Sequence, residues 1–258
     1  MSESPASGAF AHRSGVGTVT HVGSVDPVFA TAADLPGAVR ALLVDPGPSD
    51  APVAHLIVFF PGFMVSPWSY RALFASIVSD RTSIVAPQMY RRGPGPLMGH
   101  PSPSEEAEAG ILLVDHLAST RRADEVWLAG HSRGGQVAWR VAEQVAPDGV
   151  VVIDPVDGAG RHPTTPVAAA EPATFIARTL VVGAGLGGRC APAAVNHQHF
   201  AAAAPPDATH VVLDSMGHGD LLDDRPARAS RLMCGGSSDP RRERGTVAEL
   251  IRRFVEPS

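Results

Sequence analysis

Asp124-Glu125-Val126-Trp127-Leu128-Ala129-Gly130-His131-Ser132-Arg133-Gly134-Gly135 is the stretch on which the reading of this chain turns. A short apolar run, Val126 to Ala129, leads straight into Gly130-His131-Ser132-Arg133-Gly134, which fits the pattern G-x-S-x-G. A segment of helical period follows, with Val137, Ala138, Val141, Ala142 and Val145 on one face and Pro147 just past the end. The sequence therefore predicts a strand, a sharp turn and a helix. Ser132 at the tip of such an elbow sits in strained backbone between a strand and a helix packed so closely that side chains at positions 130 and 134 would collide. The turn exposes the serine hydroxyl. It also aims the helix N-terminus, through the N–H of Arg133, at an oxygen that becomes negative when Ser132 attacks a carbonyl. A glycine-rich turn before a helix can equally be only a tight loop, so the rest of the chain has to decide.

Working outward, Val53 to Phe60 is nearly all apolar, as a strand buried on both faces of a parallel sheet must be. It runs into Pro61-Gly62-Phe63-Met64. In serine hydrolases of this layout the loop at that place supplies a second oxyanion donor, and the N–H of Phe63 is the candidate. Further strands are expected at Val16 to Val25, Ala38 to Val44, Thr82 to Ala86, Gly149 to Ile153, Thr179 to Val182 and Ala208 to Leu213. Helices are expected at Ser69 to Val78, Ser104 to Leu117 and Thr246 to Val255. Ser104 is taken as the cap of the second of these, and Glu105, Glu106 and Glu108 suit the positive end of its dipole. That acidic cluster is thus read as capping, and not as a metal site or a general acid. Pro87 to Pro103 has no periodicity and follows a strand's carboxyl end, where open α/β sheets bind ligands, so it is a candidate rim or lid. Strands alternating with helices imply a mostly parallel sheet covered on both faces, in the element order of the α/β-hydrolase fold. Residues 1–15 are expected to be a disordered tail, and 16–258 one domain.

Composition narrows the function classes. The net charge is -5 and no basic block occurs, which argues against a nucleic-acid or anionic-membrane partner. All 21 basic residues are Arg, the mark of a GC-rich genome and here of a bacterial source. Met1 to Val16 lacks the apolar core of a signal peptide, and no apolar run is long enough to cross a bilayer, so a cytoplasmic protein is expected. The two cysteines, Cys190 and Cys234, are too few for a disulfide framework or a multi-thiolate zinc site. They could pair with each other if the compartment allowed it, but in a cytosol free, half-buried thiols are expected. The glycine-rich run Gly183 to Gly188 is followed by neither a helix-forming segment nor a P-loop lysine, so it is not read as a nucleotide site.

A serine hydroxyl becomes a useful nucleophile when an imidazole takes its proton and a carboxylate orients that imidazole. The chain order in this fold is serine, acid, histidine. The loop after the last strand offers His218 between two glycines; His197 and His199 are its competitors, while His210 and His131 are read as structural. The acid's usual place, the turn after Thr179 to Val182, holds only glycine, alanine and leucine. The preceding strand ends in Asp154, with Asp157 and then Asp220 as further choices.

Gly130-His131-Ser132-Arg133-Gly134-Gly135 resembles the lipase motif of the chlorophyllases, and the resemblance continues through Ile153-Asp154-Pro155-Val156-Asp157-Gly158. It extends to Leu180 through Gly187, Cys190-Ala191-Pro192, Val195-Asn196-His197 and Gly217-His218-Gly219-Asp220-Leu221-Leu222-Asp223-Asp224, covering roughly residues 53 to 255. Pro61 is a departure, since many relatives have His before Gly-Phe. The resemblance implies Ser132, Asp154 and His218 as nucleophile, acid and base, no metal or organic cofactor, and a hydrophobic ester as substrate, namely chlorophyll cleaved to chlorophyllide and phytol. Phe63, Met64, Tyr90, Leu97, Met98 and His131 are the candidates to line the substrate site. Two other readings stand beside this one: a general carboxylesterase, lipase or polyester hydrolase, and a hydrolase fold used as a non-catalytic binding module. The oligomeric state is not readable from the chain.

Overall fold

Every residue of β3 (His55–Phe60) is buried, yet its two sides keep different company. Leu56, Val58 and Phe60 pack with Leu113, Trp139 and Val141, whereas Ile57 and Phe59 pack with Phe74, Val247 and Ile251. Successive side chains of a strand point to opposite faces, so a strand with helices on both sides must be apolar throughout. The computed structural model describes residues 26–47, 52–89, 101–158 and 167–257. Around β3 it builds a sheet from β1 (Val28–Ala33), β2 (Arg40–Asp45), β4 (Thr82–Gln88), β5 (Glu125–His131), β6 (Gly149–Ile153), β7 (Arg178–Leu186) and β8 (Thr209–Gly217). The spatial order is β1-β2-β4-β3-β5-β6-β7-β8. The β1–β2 and β2–β4 pairings are antiparallel and all others parallel.

One core gathers the inward faces of α1 (Arg71–Ile77) and α6 (Pro240–Val255); the other gathers those of α2 (Pro103–Thr120), α3 (Arg133–Val145) and α4 (His197–Ala203). The remaining helix, α5 (Asp224–Cys234), follows β8. This is the α/β-hydrolase fold. The order of strands reverses at β3 and β5, which lie side by side while β4 lies on the far side of β3. A crevice opens at the carboxyl ends of strands at such a reversal, and it is there that doubly wound sheets hold ligands. Pro61 and Ser132 follow directly on β3 and β5.

Several elements differ from expectation. The strand expected at 16–25 and the tail at 1–15 lie outside the described residues, as does most of the segment 87–103. The edge strand β1 escaped notice because none of its residues is buried, so it carries no apolar alternation. Helix α2 begins two residues early: Ser102, not Ser104, is its cap. Ser102 Oγ accepts from Glu105 N–H at 3.2 Å, and Glu105 Oε2 accepts from Ser102 N–H at 2.7 Å, a reciprocal box with Pro103 at the first helical position. Glu105 therefore caps, and the Ser102 backbone bond holds its carboxyl below the usual range. Glu106 does not; it is buried against Arg133.

The cysteines overturn the expectation of free thiols. Cys190, in a short 3-10 turn after β7, and Cys234, the last residue of α5, form a disulfide with their Cα atoms 5.2 Å apart. The fold brings both to the carboxyl end of the sheet, a proximity that two cysteines 44 residues apart do not announce. Closing a loop of that length restricts the unfolded chain, so reducing the bond is expected to lower stability by about 2–4 kcal/mol. Urea unfolding with and without reductant reads this as a lower midpoint; equal midpoints would show that the bond contributes nothing.

Candidate active site

The elbow at Ser132 follows from the two glycines around it. A Cβ on Gly134 would fall on the Phe60 carbonyl of β3, and one on Gly130 would fall on the Gly134 carbonyl. Their absence lets α3 leave the sheet at once. Ser132 carries the resulting strain, at φ 57 and ψ -127, and its backbone is pinned to β6 and the turn after it: its N–H donates to Ile153 O at 3.1 Å and its carbonyl accepts from Val156 N–H at 3.1 Å. With φ positive at the head of a helix, the side chain is turned outward.

Facing it is His218, in the tight turn after β8. His218 Nε2 lies 3.0 Å from Ser132 Oγ, and His218 Nδ1 lies 2.6 Å from Asp154 Oδ2. Asp154 is fully buried at the end of β6, with φ 39; its other oxygen accepts from Ala184 N–H at 3.2 Å. Asp220 shapes the histidine's turn, since its Oδ2 accepts from Gly217 N–H at 2.6 Å and from Ser237 N–H at 3.0 Å. A buried carboxylate on one imidazole nitrogen and a hydroxyl on the other is an arrangement that can draw the proton from the hydroxyl and hold the charge that results.

The structure brings Ser132, Asp154 and His218 together and sets the other choices apart. Asp157 is buried and turned away, accepting from Gln136 Nε2 at 2.7 Å and from the N–H groups of Gly158, Val167, Ala168 and Ala169. It knots the segment after β6 and bonds to no histidine among the described residues. His197 Nδ1 lies 2.9 Å from His210 Nε2, and burial lowers the affinity of both rings for a proton; His199 sits beside them on α4.

The loop after β3 lies against the serine. A Cβ on Gly62 would stand 3.4 Å from Ser132 Cβ, so the backbone passes as close as it can. Gly62 N–H donates to Tyr70 Oη at 3.0 Å and Gly62 O accepts from Val65 N–H at 3.0 Å. Phe63 and Met64 follow, 37 % and 38 % exposed, which is unusual for large apolar side chains and suits contact with an apolar ligand. Arg133, next to the serine, spans the mouth of the site. Its Nε donates to Glu106 Oε2 at 2.6 Å, it also donates to Pro101 O, and its guanidinium stands 5.0 Å from the Phe63 ring centroid. Burial raises the Glu106 carboxyl above its usual range, against the pull of Arg133.

Of the candidate lining residues, Tyr90, Leu97 and Met98 lie outside the described residues. His131 is a correction: it is only 2 % exposed, and its Nδ1 and Nε2 bond to Tyr70 Oη and His218 O, both at 2.8 Å. It lies beneath the site and does not face a substrate. Sequence reasoning passed over Tyr70 and Glu106. Tyr70 had a signal, since the chain has only 2 tyrosines and this one stands at helical spacing before Leu73, Phe74, Ile77 and Val78; the Glu106–Arg133 pairing spans 27 residues and had none.

A protein-family model described as Chlorophyllase matches residues 12–256. Chlorophyllase-1, chloroplastic, of Citrus unshiu is 30% identical over 235 residues, which cover 81% of this chain and 71% of that protein. Chlorophyllase-2 of Arabidopsis thaliana is 30% identical over 235 residues, covering 80% and 73%. Chlorophyllase type 0 of Chenopodium album is 27% identical over 240 residues, covering 81% and 68%.

Proposed function

The chain belongs to the chlorophyllase family, and on that premise we propose that it is a serine hydrolase of hydrophobic carboxylic esters that cleaves chlorophyll to chlorophyllide and phytol. The observation that carries this reading is the unbroken relay from Ser132 Oγ to His218 Nε2 at 3.0 Å and from His218 Nδ1 to Asp154 Oδ2 at 2.6 Å. Ser132 attacks the ester carbonyl as His218 accepts the hydroxyl proton, and Asp154 steadies the imidazolium. The backbone N–H groups of Phe63 and Arg133 bind the oxyanion, Arg133 at the head of α3 where the helix dipole favours negative charge. His218 then returns the proton to the departing alcohol oxygen. In the second half-reaction it takes a proton from water, whose oxygen attacks the acyl carbon, and hands that proton to Ser132 Oγ as the acyl–Oγ bond breaks and the acid leaves.

A second reading, a general carboxylesterase, is favoured by the character of the described mouth. Phe63 and Met64 offer apolar surface, which accepts any bulky hydrophobic ester and by itself specifies no tetrapyrrole. No described helix is long and apolar enough to cross a membrane.

The purified protein is expected to release chlorophyllide from chlorophyll a faster than it turns over medium-chain p-nitrophenyl esters at equal concentration. Extraction of phytol-free pigment measures it. Turnover of the nitrophenyl esters alone would retain the esterase and discard chlorophyll as its substrate.

A further inference from the structure

His131, Tyr70, Gly62 and His218 stand on four separate pieces of chain and share one buried string of hydrogen bonds. His131 Nε2 is 2.8 Å from the carbonyl of His218, His131 Nδ1 is 2.8 Å from Tyr70 Oη, and Tyr70 Oη is 3.0 Å from Gly62 N. The direction of each bond is fixed by chemistry. A carbonyl oxygen can only accept, so Nε2 carries the ring proton; a neutral ring then has an acceptor at Nδ1, so the tyrosine hydroxyl donates to it; and the Gly62 amide donates to the tyrosine oxygen. Burial, and next the charge of His218 nearby, hold His131 well below the usual histidine range, consistent with the single ring proton this order requires.

We propose that Tyr70 and His131 are positioning residues that couple the loop presenting the oxyanion donor to the loop presenting the base, across the underside of Ser132. This rests on the reading of Ser132 and His218 given above. The two loops come from β3 and β8, which are not neighbours in the sheet. His131 is the residue before Ser132, and the Gly62 Cβ position lies 3.3 Å from both His131 Nδ1 and Tyr70 Oη, so the string passes directly under the nucleophile. The Tyr70 ring, fully buried, is itself held by Phe59 and Phe74, with centroids 5.1 and 5.8 Å away. The string therefore joins an anchored ring to two loops that carry opposite ends of the reaction.

The test uses Tyr70→Phe, His131→Asn and the double variant, with ester hydrolysis by wild type and its absence in Ser132→Ala establishing the underlying reading separately. Tyr70→Phe keeps the ring and removes only the hydroxyl; His131→Asn keeps an acceptor near the Nδ1 position and removes the donor to His218. Each single variant is expected to lose about ten- to a hundredfold in kcat with KM changed less than about threefold, the pattern of misplaced reacting groups and not of weakened substrate binding. The double variant is expected to be no slower than the slower single one, because one broken link already uncouples the loops. His131→Gln, which restores a donor towards the His218 carbonyl, is expected to recover part of the loss in His131→Asn. Should Tyr70→Phe fail to fold, the two His131 variants alone decide. A kcat within about twofold of wild type in the folded variants, or losses that multiply in the double, would overturn the proposal and leave the string as packing.

Discussion

Ser132→Ala is expected to lower kcat for ester hydrolysis by about five to six orders of magnitude, leaving only what the oxyanion donors and binding supply. The hydroxyl is the group His218 Nε2 faces, and among the described residues no other hydroxyl is bonded to that nitrogen. The substitution should not disturb the fold. Alanine has the same Cβ as serine, so the positive φ at 132 is no more strained, and the backbone bonds to Ile153 and Val156 do not involve the side chain. Steady-state hydrolysis by the variant, beside its thermal melting curve, checks both halves. A folded variant retaining more than about one part in a hundred of the activity would remove Ser132 from the role of nucleophile.

Asp154→Asn should cost about ten thousandfold in kcat with the site's geometry intact. An amide at 154 would present an N–H to His218 Nδ1 and favour the tautomer whose proton sits on Nε2, pointing at the hydroxyl it must deprotonate. Asp157→Asn makes the informative contrast. Asp157 carboxylate oxygens accept from four backbone N–H groups as well as Gln136, so its loss should appear as lower thermal stability, with a much smaller effect on kcat in the protein that remains folded. Were the two results exchanged, with Asp157→Asn folded but inert and Asp154→Asn active, the acid would have to be reassigned.

What could be read from the chain was what depends on local pattern. Strand β3 declared itself by unbroken apolarity, and the elbow by two glycines whose missing side chains the packing demands. Asp154 emerged by elimination, because the turn after β7 holds no carboxylate. What escaped depends on contact at a distance. The bond between Tyr70 and His131 spans 61 residues and that between His131 and the His218 carbonyl spans 87, and neither leaves a periodicity or spacing to detect. Helix α5 was missed because only Ala227 and Cys234 of its eleven residues are buried, too few to draw an apolar stripe. The cap of α2 was misplaced by two residues because Ser102 and Ser104 both precede glutamates; Pro103 at the first helical position was the sign that favoured Ser102.

Among the described residues strand β8 is the last in the sheet, with a neighbour on one side only, yet the histidine follows directly on it. The Cys190–Cys234 bond ties the end of α5 to the turn after β7, and Gly236, two residues past Cys234, lies against Gly217 at the root of the histidine's turn. The covalent link thus ties the segment beside the histidine's turn to the end of the neighbouring strand. Losing either cysteine opens that link as fully as losing both, so single and double substitutions are expected to lower the melting temperature alike.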